Sequence, residues 1–156
     1  MRVIGLAVAM QGESKATAYG VVVDNSSGTP VVADRFEITN DEADLATRLF
    51  DMAENIRTKV DSLKPDAVAV RRADFPPTGS RKEAPKVRLL AEGALVSAAR
   101  SKCVATYMGT GRELGTWCGS DKDTVEGEAR GLLTSAGLPQ KFVGAACAAL
   151  GGLARP

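Results

Sequence analysis

The chain has 156 residues, with 20 Lys and Arg against 19 Asp and Glu, a formal charge of +1 and no histidine. Without imidazole there is no Ser-His or Cys-His nucleophile pair and no His-ligated zinc or iron centre, so any chemistry falls to carboxylates, lysine, cysteine or hydroxyls. A composition of 44% hydrophobic and 25% charged residues belongs to a globular chain, and its near-neutral balance argues against a protein that is basic throughout, as polyanion binders are.

Residues 2–9 (RVIGLAVA) are an almost unbroken apolar run, the pattern of a central strand covered on both faces. Residues 17–24 (TAYGVVVD) read as a second strand, Asn25-Ser26-Ser27-Gly28 as a turn, and 30–38 (PVVADRFEI) as a third strand. Their short connections predict an antiparallel meander. Leu45, Leu49, Met52, Ile56, Val60 and Leu63 step by three and four and share one helix face. Thr39 and Glu42 fit a capping box at its start, and Lys64-Pro65 ends it. The strand-like segment 66–72 (DAVAVRR) follows at once, and a strand–helix–strand step favours parallel pairing.

Residues 73–84 form a loop punctuated by Pro and Gly, and a helix is predicted over about 85–101 with Val87, Leu90, Ala91, Ala94, Leu95 and Ala98 on one face. A short strand is expected at 103–108, then a loop at 109–119 (GTGRELGTWCG). Ser120 caps a further helix with Val125, Ala129, Leu132, Leu133 and Ala136 inward, stopped by Gly137 and Pro139. A small-residue helix closes the chain at about 140–153. Gly127, Gly131 and the run GAACAALGG predict close helix approach, either as tight internal packing or as a dimer seam. The expected architecture is one α/β domain over 1–156. Its mixed five-stranded sheet has three antiparallel strands followed by parallel ones, with helices on both faces.

Cys103, Cys118 and Cys147 are odd in number, widely spaced and without a C-x-x-C, which predicts a reduced, cytoplasmic setting. No apolar run approaches 18 residues and the N-terminus turns polar too soon for a secretory signal, so no membrane association is expected. Cys118 and Cys147 lack a neighbouring base in sequence and read as inert, and Trp117 reads as a packing or interface residue. The glycines of 109–119 lack a following G-K-[ST], so they are not a P-loop.

Several segments resemble one family in order and spacing. They are Gly5-Leu6-Ala7, Thr17-Ala18-Tyr19-Gly20-Val21, Lys64-Pro65-Asp66 leading into Ala69-Val70-Arg71, KVRLLAEGALVSAA at 86–99, Gly119-Ser120-Asp121-Lys122, and Gly144-Ala145-Ala146-Cys147-Ala148-Ala149-Leu150. Across almost the whole chain they resemble the RuvC family of Holliday-junction resolvases. That resemblance implies a ribonuclease H-like fold, a homodimer with the second helix at the interface, and nuclease chemistry by four clustered carboxylates holding two divalent cations.

The positions matching those acids are Ala7, Arg71, Gly144 and Cys147, and none is acidic. A methyl, a guanidinium, a hydrogen and a thiol do not hold magnesium, so the expectation is a protein without catalytic residues, metal or cofactor that acts by binding DNA, branched or duplex, or a protein partner. A second reading relocates the metal site. Glu13, Asp74 and members of the cluster Asp121, Asp123, Glu126 and Glu128 would then form the site of a magnesium- or manganese-dependent junction endonuclease. Against it, acids at a helix start complement the macrodipole and the others are solvated. A third reading is a structural or scaffold subunit held by a larger partner.

Between 71 and 102 there are eight basic residues against three acids, whereas 24–66 carries ten acids against five bases. The basic segment coincides with the part that faces DNA in the resembled family. Arg71, Arg72, Phe75, Arg81, Lys82, Lys86 and Arg88 are therefore candidate nucleic-acid-binding residues, and Lys122 joins them because it matches a lysine near the resembled family's active site, its alternative being an ordinary helix-start lysine. Phe75 lies close to where that family carries an aromatic that wedges between bases. The competing reading has the charges simply solvated and Phe75 in the core.

Overall fold

The computed structural model of the chain describes residues 1–74 and 82–155. Strands β1 (Arg2–Gln11), β2 (Lys15–Asp24) and β3 (Val31–Thr39) form the antiparallel meander. Helix α1 (Leu45–Leu63) crosses to β4 (Ala67–Arg71), which lies parallel to β1. Helix α2 (Glu83–Lys102) leads to β5 (Thr106–Gly109), parallel to β4. The sheet order is β3-β2-β1-β4-β5. Helices α3 (Gly111–Trp117) and α4 (Lys122–Ser135), a 3-10 turn (Gln140–Phe142) and α5 (Val143–Ala154) complete the fold.

The apolar run in β1 follows from burial on both sides. Ile4, Leu6 and Val8 join Met52, Ile56 and Val60 of α1 and Ala91 and Leu95 of α2 in one core. Ala7, with Val21, Val23 and Ala69, belongs to a second core with Val125, Ala129 and Leu133 of α4 and the small residues of α5. The central sheet is thus sandwiched between α1–α2 and α3–α5, the arrangement that the element order predicts.

Several local expectations are corrected. Thr39 does not cap α1: it ends β3, where its hydroxyl meets that of Thr17 at 3.2 Å. Asn40 accepts the Glu42 N–H at 2.9 Å in a turn of its own, and Asp44 caps the helix by accepting from the Ala46 and Thr47 N–H groups. Asp121, not Ser120, caps α4. The segment 109–119 is not all loop, since it contains α3, started by a capping box of Thr110 and Glu113. Gly109, Gly111 and Gly115 are there for contact, a Cβ on Gly115 lying 2.6 Å from the Asp121 carbonyl carbon, whereas Gly119 sits in open space at a φ of +67°.

On α2 the buried stripe is Val87, Ala91, Leu95, Ala98 and Ala99, and Leu90 falls outside it, 51% exposed. Ala136 caps the end of α4 and is exposed. Gly127 and Gly131 face open space within the chain, so they serve no internal helix packing, whereas the small residues of α5 do: a Cβ on Gly151 would lie 2.6 Å from the Leu114 Cδ2.

Candidate functional site

The parallel register of β1 and β4 sets Ala7 directly beside Arg71 where β4 ends. Helix α5 crosses above them. A Cβ on Gly144 would lie 3.1 Å from the Ala7 Cβ and 3.8 Å from the Arg71 Cδ, so the missing side chain is what allows the helix to sit there. Cys147, one turn further along α5, is buried beside the Arg71 guanidinium. Ala7, Arg71, Gly144 and Cys147 therefore meet at one place, and the donors they offer are a guanidinium and a thiol. Burial pushes the Cys147 thiol up to about 11, so it is neutral at physiological pH.

Arg71 keeps only 14% of its side-chain surface exposed, and its Nη2 lies 3.1 Å from the Oε1 of Glu126, itself 27% exposed. The pair lines a cleft of about 480 Å³ with Ala7, Ala9, Tyr19 and Gly144. Arg88 from α2, Arg130 from α4 and Lys141 from the 3-10 turn also line it.

The six acids of the relocated-metal reading have other positions and partners. Asp74 accepts from Lys122 Nζ at 2.5 Å and from the Gly111 N–H at 3.2 Å, and the Lys122 hydrogen bond holds its carboxyl below the usual range. Asp121 caps α4 through the Thr124 N–H at 2.8 Å, which lowers its carboxyl too. Asp123 lies in the first turn of α4, Glu128 is exposed further along it, and Glu13 is exposed between β1 and β2. Glu126 faces Arg71. Among the described residues no three Asp, Glu, Cys or His side chains gather as a metal-binding group, and the donors at the Ala7–Arg71–Gly144–Cys147 position do not fit a hard cation.

The basic candidates divide. Arg71 and Arg88 reach the cleft, and Arg88 Nε also lies 3.6 Å from the Oε2 of Glu92. Arg72 follows β4, its N–H bonded to the Gly109 carbonyl at 2.8 Å. Lys82 and Lys86 are exposed at the start of α2. Lys122 is paired with Asp74. Phe75 and Arg81 lie outside the described residues. Arg100 and Lys102 sit at the other end of α2, roughly 20 Å from Lys86 at 1.5 Å per residue, so the basic segment 71–102 is not a single face.

Sequence reasoning missed three residues. Glu92 is 1% exposed. Its Oε2 accepts the Ala73 N–H at 2.7 Å while its Oε1 has no hydrogen-bond partner, and burial raises its carboxyl above the ordinary value. Arg130 and Lys141 lie far in sequence from the other cleft residues. The four-residue spacing of Lys122, Glu126 and Arg130 was the available signal, since it lines them up on one face of α4. Trp117 packs edge-on to Tyr107 at 6.4 Å, with the Arg155 guanidinium 4.6 Å from both rings.

No protein-family model matches the sequence, and no curated protein sequence does. Solved structures do. The Thermus thermophilus RuvC structure is 20% identical and superposes with a TM-score of 0.68 over 97% of this chain and 92% of that one. T. thermophilus RuvC in complex with Holliday junction substrate is 19% identical, with a TM-score of 0.68 over 97% and 91%. The yeast mitochondrial Holliday junction resolvase Ydc2 is 9% identical, with a TM-score of 0.55 over 97% of this chain and 78% of that one. The strand order, the helices on both faces and these superpositions agree: the chain has a RuvC-like, ribonuclease H-like fold.

Proposed function

We propose that the chain is a RuvC-like protein that binds DNA, branched or duplex, and does not cleave it. The observation that carries the reading is the cluster of Ala7, Arg71, Gly144 and Cys147 at the end of β4, where the RuvC resemblance expects carboxylates and the chain offers none. Two-metal phosphodiester cleavage needs anionic oxygen ligands that bring two cations together and activate a water. A guanidinium at their centre repels such cations, and Glu126, the acid beside it, is neutralised by Arg71. A nuclease on relocated acids would first need Asp74 released from Lys122, Asp121 from its cap and Glu126 from Arg71.

DNA as the ligand is supported by the Holliday junction substrate held by the T. thermophilus relative and by the basic lining of the cleft. A homodimer, which the resemblance implies, is supported by Leu89 and Leu90, 47% and 51% exposed on the outer face of α2. The same apolar pair would equally serve a protein partner. Three free cysteines suit a reducing cytoplasm, and among the described residues no helix is long and apolar enough to cross a membrane.

The test is a band-shift assay with four-way and linear DNA of equal length in EDTA. Retardation that weakens steeply with salt is expected. Unretarded DNA at low salt removes the reading and leaves the scaffold role.

A further inference from the structure

We infer that the cleft above the ends of β1 and β4 takes a DNA backbone phosphate directly on Arg71, Arg88, Arg130 and Lys141, with no metal ion between protein and phosphate. The inference rests on the DNA-binding reading above and names the contact by which it operates. Its four cations come from four elements, β4, α2, α4 and the 3-10 turn, and converge on one cleft of about 480 Å³. The floor beneath them is Ala7, Ala9 and Gly144, which leaves room that a larger side chain would fill.

The charge balance favours an anion. Among the lining residues Glu126 is the one acid against the four cations. Arg88 and Lys141 are tethered by Glu92 and Glu37, which do not line the cleft, and with these included the set keeps one net positive charge. Arg130 has no carboxylate partner among the described residues: its Nη1 donates to the neutral Gln140 Oε1 at 3.2 Å. The remaining N–H groups of that planar fork suit the paired oxygens of a phosphate. Lys141 is further placed by its ammonium lying 5.8 Å from the Tyr19 ring centre and 5.7 Å from that of Phe142. Cys147 beneath Arg71 is held neutral by burial and adds no opposing charge. Arg71 itself is largely shielded from water, where charge–charge attraction is screened least. The guanidinium thus supplies at the protein's own expense the positive charge that a metal would bring to a carboxylate cluster. Glu126 is the one group in the cleft that opposes an anion.

The experiment is fluorescence anisotropy of a labelled four-way junction and a labelled duplex, titrated with the whole chain in EDTA at several salt concentrations. Arg130→Gln and Lys141→Gln, both at exposed positions, are each expected to weaken binding by roughly threefold to tenfold and to lower the slope of log K against log salt by about 1. Glu126→Gln is expected to tighten binding, a gain that a merely damaged fold does not give. Lys102→Gln, at the far end of α2, is expected to leave both quantities unchanged. Wild-type binding to DNA that requires magnesium, or that Arg130→Gln and Lys141→Gln leave at wild-type strength and slope, overturns this inference and leaves the DNA-binding reading standing. Absence of wild-type binding to either DNA overturns both.

Discussion

Replacing Gly5 by Ala tests how α5 is seated, and with it the geometry of the cleft. The added Cβ would lie 1.9 Å from the Ala145 carbonyl oxygen and 2.4 Å from the Ala149 nitrogen. Both are backbone atoms inside α5, so no side chain can rotate away. Carbon–oxygen contacts of this kind stop at about 3.3 Å, so the helix must rise by roughly 1.4 Å or the strand must bend. Overpacking typically costs about 1–3 kcal/mol, and a clash with two rigid backbone segments belongs at the upper end. For a chain of this size, about 3 kcal/mol lowers Tm by roughly 6–12 °C. The control is Gly93→Ala on α2, where a Cβ meets nothing within 4 Å and the gain in helix propensity is about 1 kcal/mol. Thermal melts followed by circular dichroism should move in opposite directions for the two variants. A Gly5→Ala melt within a degree of wild type would refute the close seating of α5 on β1.

Three further outcomes follow from the same geometry. A double-mutant cycle with Arg71→Gln and Glu126→Gln, read by urea denaturation, should give a coupling of about 1 kcal/mol, since both side chains are largely shielded; zero coupling would mean that the pair does not persist in solution. Burial raises the Glu92 carboxyl, so the folded chain keeps that proton to higher pH than the unfolded one, and stability falls as pH rises from the ordinary value of 4.5 through the folded one. Glu92→Gln lacks this loss, so its stability relative to wild type should grow between pH 4 and pH 7, and a flat difference would contradict the burial. Ellman's reagent at pH 8 should label half-exposed Cys118 first and leave buried Cys103 and Cys147 protected until guanidinium is added. Prompt labelling of Cys147 would show that the cleft floor is open.

The strands and the long helices were legible because each is governed by one simple pattern. β1 is apolar between Val3 and Val8 because both faces are covered there, and α1 repeats Met52, Ile56 and Val60 at helical spacing. Helix α3 was not, because Gly111 and Gly115 carry the usual mark of a loop while serving contacts with Arg71, Lys122 and Asp121 that only the fold brings near. The same blindness to distance in sequence hid the cleft. Ala7, Arg71, Gly144 and Cys147 were named through a family resemblance, whereas Arg130 and Lys141 have no motif and join them only through the crossing of α4 and the 3-10 turn. A charged residue inside the α2 pattern gave no sign that Glu92 is buried against the Ala73 N–H. The basic stretch 71–102 was clear as composition and misleading as geometry, because a 20-residue helix carries its two ends to different places.

The most direct test of the central claim is incubation of the purified chain with a four-way DNA junction in magnesium and in manganese, with binding and strand integrity followed in the same samples. A retarded complex whose strands remain intact in both metals is the expected result. Nicked strands that disappear with EDTA, and with Asp74→Asn or Asp121→Asn, would contradict it and return the chain to the metal-dependent nucleases.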